Sequence, residues 1–214
     1  MNEFLVIKKY FSNLSNNSRG TFDLSDDIFF DYKKKLGISI DSYVEGTHFL
    51  NFKNPNLVIK KALRGAISDL ICKGIIPKYY FMSCSGNKKH LSQANLSKIQ
   101  LALKEEQKKY NIFLAGGDTS YSNRLSISIS VVGYSNKNPI LRSGAKVNDD
   151  IYITNTIGDA FLGLKLLKGK IKLSKKNNDY FVRRFYLPIL PIKFSKKIHL
   201  FANSAIDISD GFFQ

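Results

Sequence analysis

Between positions 125 and 131 the chain sets Leu125, Ile127, Ile129 and Val131 on alternate positions, with Ser126, Ser128 and Ser130 between them. This two-residue period is that of a strand with one face buried and one face wetted, as in an antiparallel sheet. Helical patterns accompany it. Asn54 is a capping residue type and Pro55 suits a first helical position. Leu57, Val58, Ala62, Ala66, Ile67, Leu70 and Ile71 then mark one buried face, and Gly74 ends the run. A second helix is expected over 96–110, with Ile99, Leu103 and Tyr110 inward. Phe4, Ile7, Phe11 and Leu14 recur at helical spacing at the start of the chain.

Further strands are expected over 28–32, 37–49, 78–83 and 112–115, the last running into Gly116-Gly117-Asp118. Beyond a boundary near residue 140, the pattern predicts a strand over 150–154, helices over 160–167, 179–186 and 192–203, and a strand over 205–208. The fold class is therefore α+β, with a mixed, largely antiparallel sheet packed with helices in the first part. Two domains are expected, 1–140 and a partial one over 141–214.

The chain has 33 Lys and Arg against 17 Asp and Glu, a formal net charge of +16. Only six of the basic residues are Arg, and the lysines are spread along the whole chain rather than clustered. With no recognition helix or aromatic RNA-binding motif, the charge reads as compositional bias, and no nucleic-acid partner is expected. The apolar run Phe4-Leu5-Val6-Ile7 is too short for a signal peptide, and no window is long enough to span a bilayer, so a cytoplasmic protein without a membrane partner is expected. Cys72 and Cys84 have no metal-site spacing and sit in apolar stretches.

The acids are more informative. Thirteen are Asp and four are Glu. Asp26-Asp27, Asp41, Asp69, Asp118, Asp207 and Asp210 each interrupt or end an apolar segment instead of lying on a charged face. Asp69, among Ile67, Leu70 and Ile71, is expected to be mostly buried, and a buried carboxylate is normally neutralised by a cation. Magnesium takes oxygen ligands, commonly one or two carboxylates plus substrate phosphates. Several Asp converging on phosphate chains would make a phosphoryl-transfer site, although neither a Walker-type loop nor a protein-kinase catalytic loop is present. Gly116-Gly117 would let the backbone approach a phosphate, and Arg142 could clamp one.

In their order, these motifs resemble the thiamine-monophosphate kinase family of the aminoimidazole ribonucleotide synthetase superfamily. The matching stretches are Ser25-Asp26-Asp27, Ser39-Ile40-Asp41, Val44-Glu45-Gly46-Thr47-His48-Phe49, Ser68-Asp69-Leu70 with Lys73-Gly74, Gly116-Gly117-Asp118-Thr119, Arg142-Ser143-Gly144-Ala145-Lys146, and the stretches 154–163 and 202–211. The resemblance implies phosphorylation of thiamine monophosphate by ATP, giving thiamine diphosphate by direct transfer without a phosphoenzyme. It implies several Mg2+ ions held by Asp27, Ser39, Asp41, Asp69, Asp118, Asp207 and Asp210, with ATP contacted by Gly117, Asp118, Arg142 and Ser209 and the thiamine substrate by His48. It also implies an ATP- and Mg-binding first domain that forms a homodimer, and a C-terminal truncation just after Asp210-Gly211. Three positions depart from the family pattern: Ser25 stands for a usual Gly, Ile40 for a usual Thr or Ser, and Ala66 for a usual Asn. Two alternatives stay open. One is a non-catalytic, inactive remnant of the superfamily. The other is a different ATP-using member such as a selenophosphate synthetase or a hydrogenase-maturation dehydratase, although neither cysteine is placed as those require.

Overall fold

The computed structural model describes residues 3–209 and 211. The chain opens with a short helix, α1 (Glu3–Val6), continued by a π turn over Ile7–Phe11. The expected helical start is present, but it packs little: Phe4, Leu5, Tyr10, Phe11 and Leu14 are all exposed.

The centre is a five-stranded sheet of strands β1 (Phe29–Asp31), β2 (Leu36–Val44), β3 (Ile76–Gly86), β4 (Phe113–Tyr121) and β5 (Ser126–Tyr134), in the order β1-β2-β5-β3-β4. β1–β2, β2–β5 and β5–β3 are antiparallel, and β3–β4 is parallel. A parallel pair needs a crossover, and helix α3 (Gln93–Tyr110) supplies it. Helix α2 (Pro55–Cys72) joins β2 to β3. The mixed, largely antiparallel α+β architecture is the one expected.

The strand alternation decides which face is the core. Ile127, Ile129 and Val131 of β5 are buried with Tyr80 and Cys84 of β3 against Val58, Ile59, Ala62, Leu63, Ala66, Ile67 and Leu70 of α2 and Ile99, Ala102 and Leu103 of α3. Each fully buried Val, Ile or Leu among them contributes about 1.5–3 kcal/mol through burial. The helices are also joined by a buried ion pair, Arg64 Nε and Nη2 donating to Glu106 Oε2 and Oε1, both at 2.7 Å. Arg64 Nη1 donates to the Pro188 carbonyl at 3.1 Å, which ties the later chain to this pair.

Some expectations shift. The Asn54 side chain makes no capping bond; its carbonyl accepts from Leu57 and Val58 instead. Gly74 ends α2 as expected, at φ +76°, with the His199 ring where a Cβ would project. β4 continues through Gly116-Gly117-Asp118 rather than stopping before it. The helices near 160 and 180 are present as α4 (Asp159–Leu167) and α5 (Lys175–Tyr186). The helix expected over 192–203 is only the turn α6 (Ile192–Ser195) and a 3-10 turn at Ile198–Leu200. The strands expected over 150–154 and 205–208 do not form. Alternation makes a strand only where a neighbouring strand takes up its backbone groups. Among the described residues after Tyr134 no strand is present to do so, and Ile151 and Tyr152 are left exposed.

Candidate metal centre

The alternation of β2 sets its odd-numbered residues on the α2 side. Ser39 is buried there, and its hydroxyl donates to the Ala66 carbonyl of α2 at 3.0 Å. Two residues on, Asp41 accepts from the Tyr43 hydroxyl at 3.0 Å. Gly65 makes that contact possible. A Cβ at Gly65 would lie 1.7 Å from the Tyr43 hydroxyl oxygen, so only a glycine lets the phenol pass α2. Burial first, and then the nearby Asp41 carboxylate, hold the Tyr43 proton far more tightly than in a free phenol.

Asp69 lies on α2, one turn after Gly65. Asp27 precedes β1, and Asp207 lies in the segment after the Ile198–Leu200 turn. The structure brings these three together, with one carboxylate oxygen from each within 4.8 Å of the others. Asp69 is buried, as its apolar neighbours predicted. Burial, followed by Asp207, Asp41 and Asp27, pushes its carboxyl well above the usual carboxylate range. Burial likewise raises Asp207, opposed by a 2.7 Å hydrogen bond from the Ser68 hydroxyl. Carboxylates this close favour protonation unless a cation enters. The donor set is all oxygen, the set that hard divalent ions such as Mg2+ prefer. The residues therefore fit the metal that the sequence resemblance implies.

Basic groups border the cluster. Arg142 donates to Asp27 through Nε at 3.0 Å and through Nη2, while its backbone N–H donates to Asp26 Oδ2 at 2.9 Å. Its guanidinium thus grips a carboxylate of the cluster. The fully buried Lys73 lies 2.9 Å from Asp26 Oδ1 and 3.4 Å from Asp27 Oδ2.

The other residues singled out in the sequence lie further off. His48 accepts a hydrogen bond from the Val44 N–H at Nδ1, 3.0 Å, and its ring stands edge-on to Tyr43 at 5.6 Å. It is exposed, one aromatic ring away from Asp41. Asp118 is exposed on β4 and pairs in register with Ser83, whose side chain lies on the sheet face away from α2. It does not join the three clustered carboxylates. Gly117 is required by strand packing, since a Cβ there would lie 2.0 Å from the Met82 carbonyl oxygen. Ser209 is exposed, and Asp210 lies outside the described residues. Ile40, where the family pattern has a hydroxyl, points away from the cluster and is 69% exposed.

Sequence reasoning gives no role to Asp26, Tyr43, Ser68 or Lys73. Tyr43 is legible from its period-two spacing to Ser39 and Asp41. Ser68 carries no signal of its own, because its partner Asp207 is 139 residues away.

Comparison with known proteins bears on the family and the fold. Residues 25–135 match the family described as AIR synthase related protein, N-terminal domain. The thiamine-monophosphate kinase of Buchnera aphidicola (Acyrthosiphon pisum) is 35% identical over 98% of this chain and 66% of its own length. That of Escherichia coli K12 is 32% identical over 98% of this chain and 65% of its own length. A solved structure of AaThiL complexed with AMPPCP and TMP superposes with a TM-score of 0.85 at 28% identity, over 96% of this chain and 65% of that one. The chain thus spans just under two thirds of the length of these proteins.

Proposed function

The chain belongs to the AIR synthase related family, and on that footing we propose that it phosphorylates thiamine monophosphate with ATP, giving thiamine diphosphate. One observation carries the reading: Asp27, Asp69 and Asp207 converge within 4.8 Å on the inner side of the sheet. The names of its relatives and the AMPPCP and TMP bound in AaThiL support the substrates.

In this reading Asp27, Asp69 and Asp207 hold divalent cations, and Asp41, Ser39 and Asp210 complete the ligand set. Mg2+, when bound, neutralises charge on the phosphates and orients the phosphoryl group. Gly117, Asp118, Arg142 and Ser209 would contact ATP, and Asp118 would also serve as a ligand for Mg2+. Arg142 releases Asp27 to reach a phosphate. His48, held by Val44 and Tyr43, contacts the thiamine substrate. Among the described residues no side chain stands out as a nucleophile, which accords with direct transfer achieved by positioning and charge neutralisation.

We assign residues 1–140 to a nucleotide-binding and dimerising domain and 141–214 to part of a second domain, in a cytoplasmic homodimer. The exposed apolar side chains on the outer sheet face, Ile40, Tyr79, Phe81 and Phe113, support pairing through that face. No helix among the described residues is long and apolar enough to cross a membrane.

The direct test is ADP formation from ATP with and without thiamine monophosphate and Mg2+, by the wild type and by Asp69→Asn. ADP formation that requires both additions and is lost in the variant is expected. ADP formation indifferent to thiamine monophosphate would overturn the substrate assignment.

A further inference from the structure

Lys73 immediately follows α2, and its side chain is entirely buried, with 0% exposure. An ammonium has three N–H donors, and three acceptors surround this one. They are Asp26 Oδ1 at 2.9 Å, Asp27 Oδ2 at 3.4 Å and the Ala205 carbonyl at 2.7 Å. Lysine is almost never fully buried unless it is paired. Here the pairing joins three distant segments: the loop before β1, the end of α2 and the run leading to Asp207. Asp26 is fixed further by the backbone N–H groups of Asp27 and Arg142, both at 2.9 Å.

The position matters more than the burial. Lys73 Nζ touches one of the three clustered carboxylates directly and reaches a second through the chain, since Ala205 is two residues from Asp207. A fixed positive charge there holds the cluster together and repels any divalent ion entering beside it.

We propose that the Lys73 ammonium is a built-in cation of this centre, holding Asp26, Asp27 and the Asp207 segment together in the place of one divalent ion. The proposal rests on the metal centre assigned above. Lys73 is a positioning residue, since it acts through the carboxylates.

The test is Mn2+ titration of EDTA-stripped full chain, following free Mn2+ by electron paramagnetic resonance. Wild type is compared with Lys73→Met, which removes charge and donors, and Lys73→Gln, which keeps donors for Asp26 and Ala205. Lys61→Met serves as the control, because Lys61 is a half-buried lysine that donates to the Phe185 carbonyl instead. The two Lys73 variants are expected to bind one more Mn2+ per chain, or to bind it at least about tenfold tighter, because a competing charge is gone. Lys61→Met should match the wild type.

Affinity and stoichiometry unchanged or weaker in both Lys73 variants would overturn the proposal and leave Lys73 as a structural tether. Equal tightening in Lys61→Met would overturn it as well. Variants that unfold in EDTA but refold when Mn2+ is added support it, and variants that stay unfolded with Mn2+ overturn it. A wild type that binds no Mn2+ would sink the metal centre and this proposal together, whereas binding unaffected by the Lys73 changes would sink this proposal alone.

Discussion

Strand β2 presents two different surfaces. Toward α2 it offers Ser39, Asp41 and Tyr43, each hydrogen-bonded and packed beside the clustered carboxylates. On the other face it offers Ile40, 69% exposed, and Ser42, whose hydroxyl lies 2.8 Å from that of Ser128. The adjacent strands share these two faces but not the polarity of β2. Ile127, Ile129 and Val131 point to the core, while Phe81, Ser85 and Ser120 point outward. In β2 the two-residue period thus turns polar groups to the face covered by a helix, where β5 turns aliphatic ones. Strand β5 keeps the ordinary half-buried pattern, and only the inner face of β2 departs from it. Carboxylates gathered under a helix call for a neutralising partner, while the exposed Ile40 and Phe81 leave apolar surface on the outer face.

The largest expected effect tests the inner face. Asp69→Asn should weaken Mn2+ binding by more than about 100-fold, beyond the loss usual for residues that only support ligands. It should also make the metal-free protein more stable at neutral pH, because a buried carboxylate beside Asp207 and Asp41 becomes neutral. Isothermal titration and thermal melts read the two effects. A variant that loses binding and stability together would argue for a structural Asp69.

The pH dependence follows from the same groups. Asp69 and Asp207 are both raised in the folded state, so the fold binds protons that the unfolded chain has released above about pH 4. Their contribution is full below that pH and is lost as pH rises toward the folded values. Melts in EDTA should therefore show Tm falling from about pH 5 toward pH 8, and excess Mg2+ should flatten the fall. A Tm that rises with pH in EDTA would contradict the charge crowding.

Gly65→Ala tests the contact between the inner face and its helix. The new Cβ forces the Tyr43 hydroxyl off Asp41, and overpacking of this kind costs about 1–3 kcal/mol. Denaturant unfolding measures it, and a loss below about 0.5 kcal/mol would mean that Tyr43 moves aside freely.

The outer face should respond separately and more mildly. Ile40→Lys should convert a dimer to monomers in sedimentation while leaving Mn2+ affinity within about twofold, because the side chain points away from the cluster. A dimer that survives would place the interface elsewhere.

How much was legible followed the same division. The alternation at Ile127, Ile129 and Val131 and the apolar stripe of α2 located the sheet, the helix and the buried face, since both periods are local. Burial of Asp69 was legible from Ile67, Leu70 and Ile71. Its partners were not all legible: Lys73 finds Ala205, and Ser68 finds Asp207, only after the chain has folded across more than 130 positions. The strands expected over 150–154 and 205–208 failed for a related reason. Alternation records which side chains would face inward, but strand formation depends on a neighbouring strand that the same few residues do not specify.

The central claim is that Asp27, Asp69 and Asp207 form a cation site in the single chain. It is tested most directly by comparing Mn2+ binding to nucleotide-free Asp207→Asn and Asp118→Asn. Asp207→Asn is expected to lose the site, whereas Asp118→Asn, altered on the exposed strand β4, should bind as the wild type does. Equal loss in both variants, or no loss in Asp207→Asn, would contradict the claim.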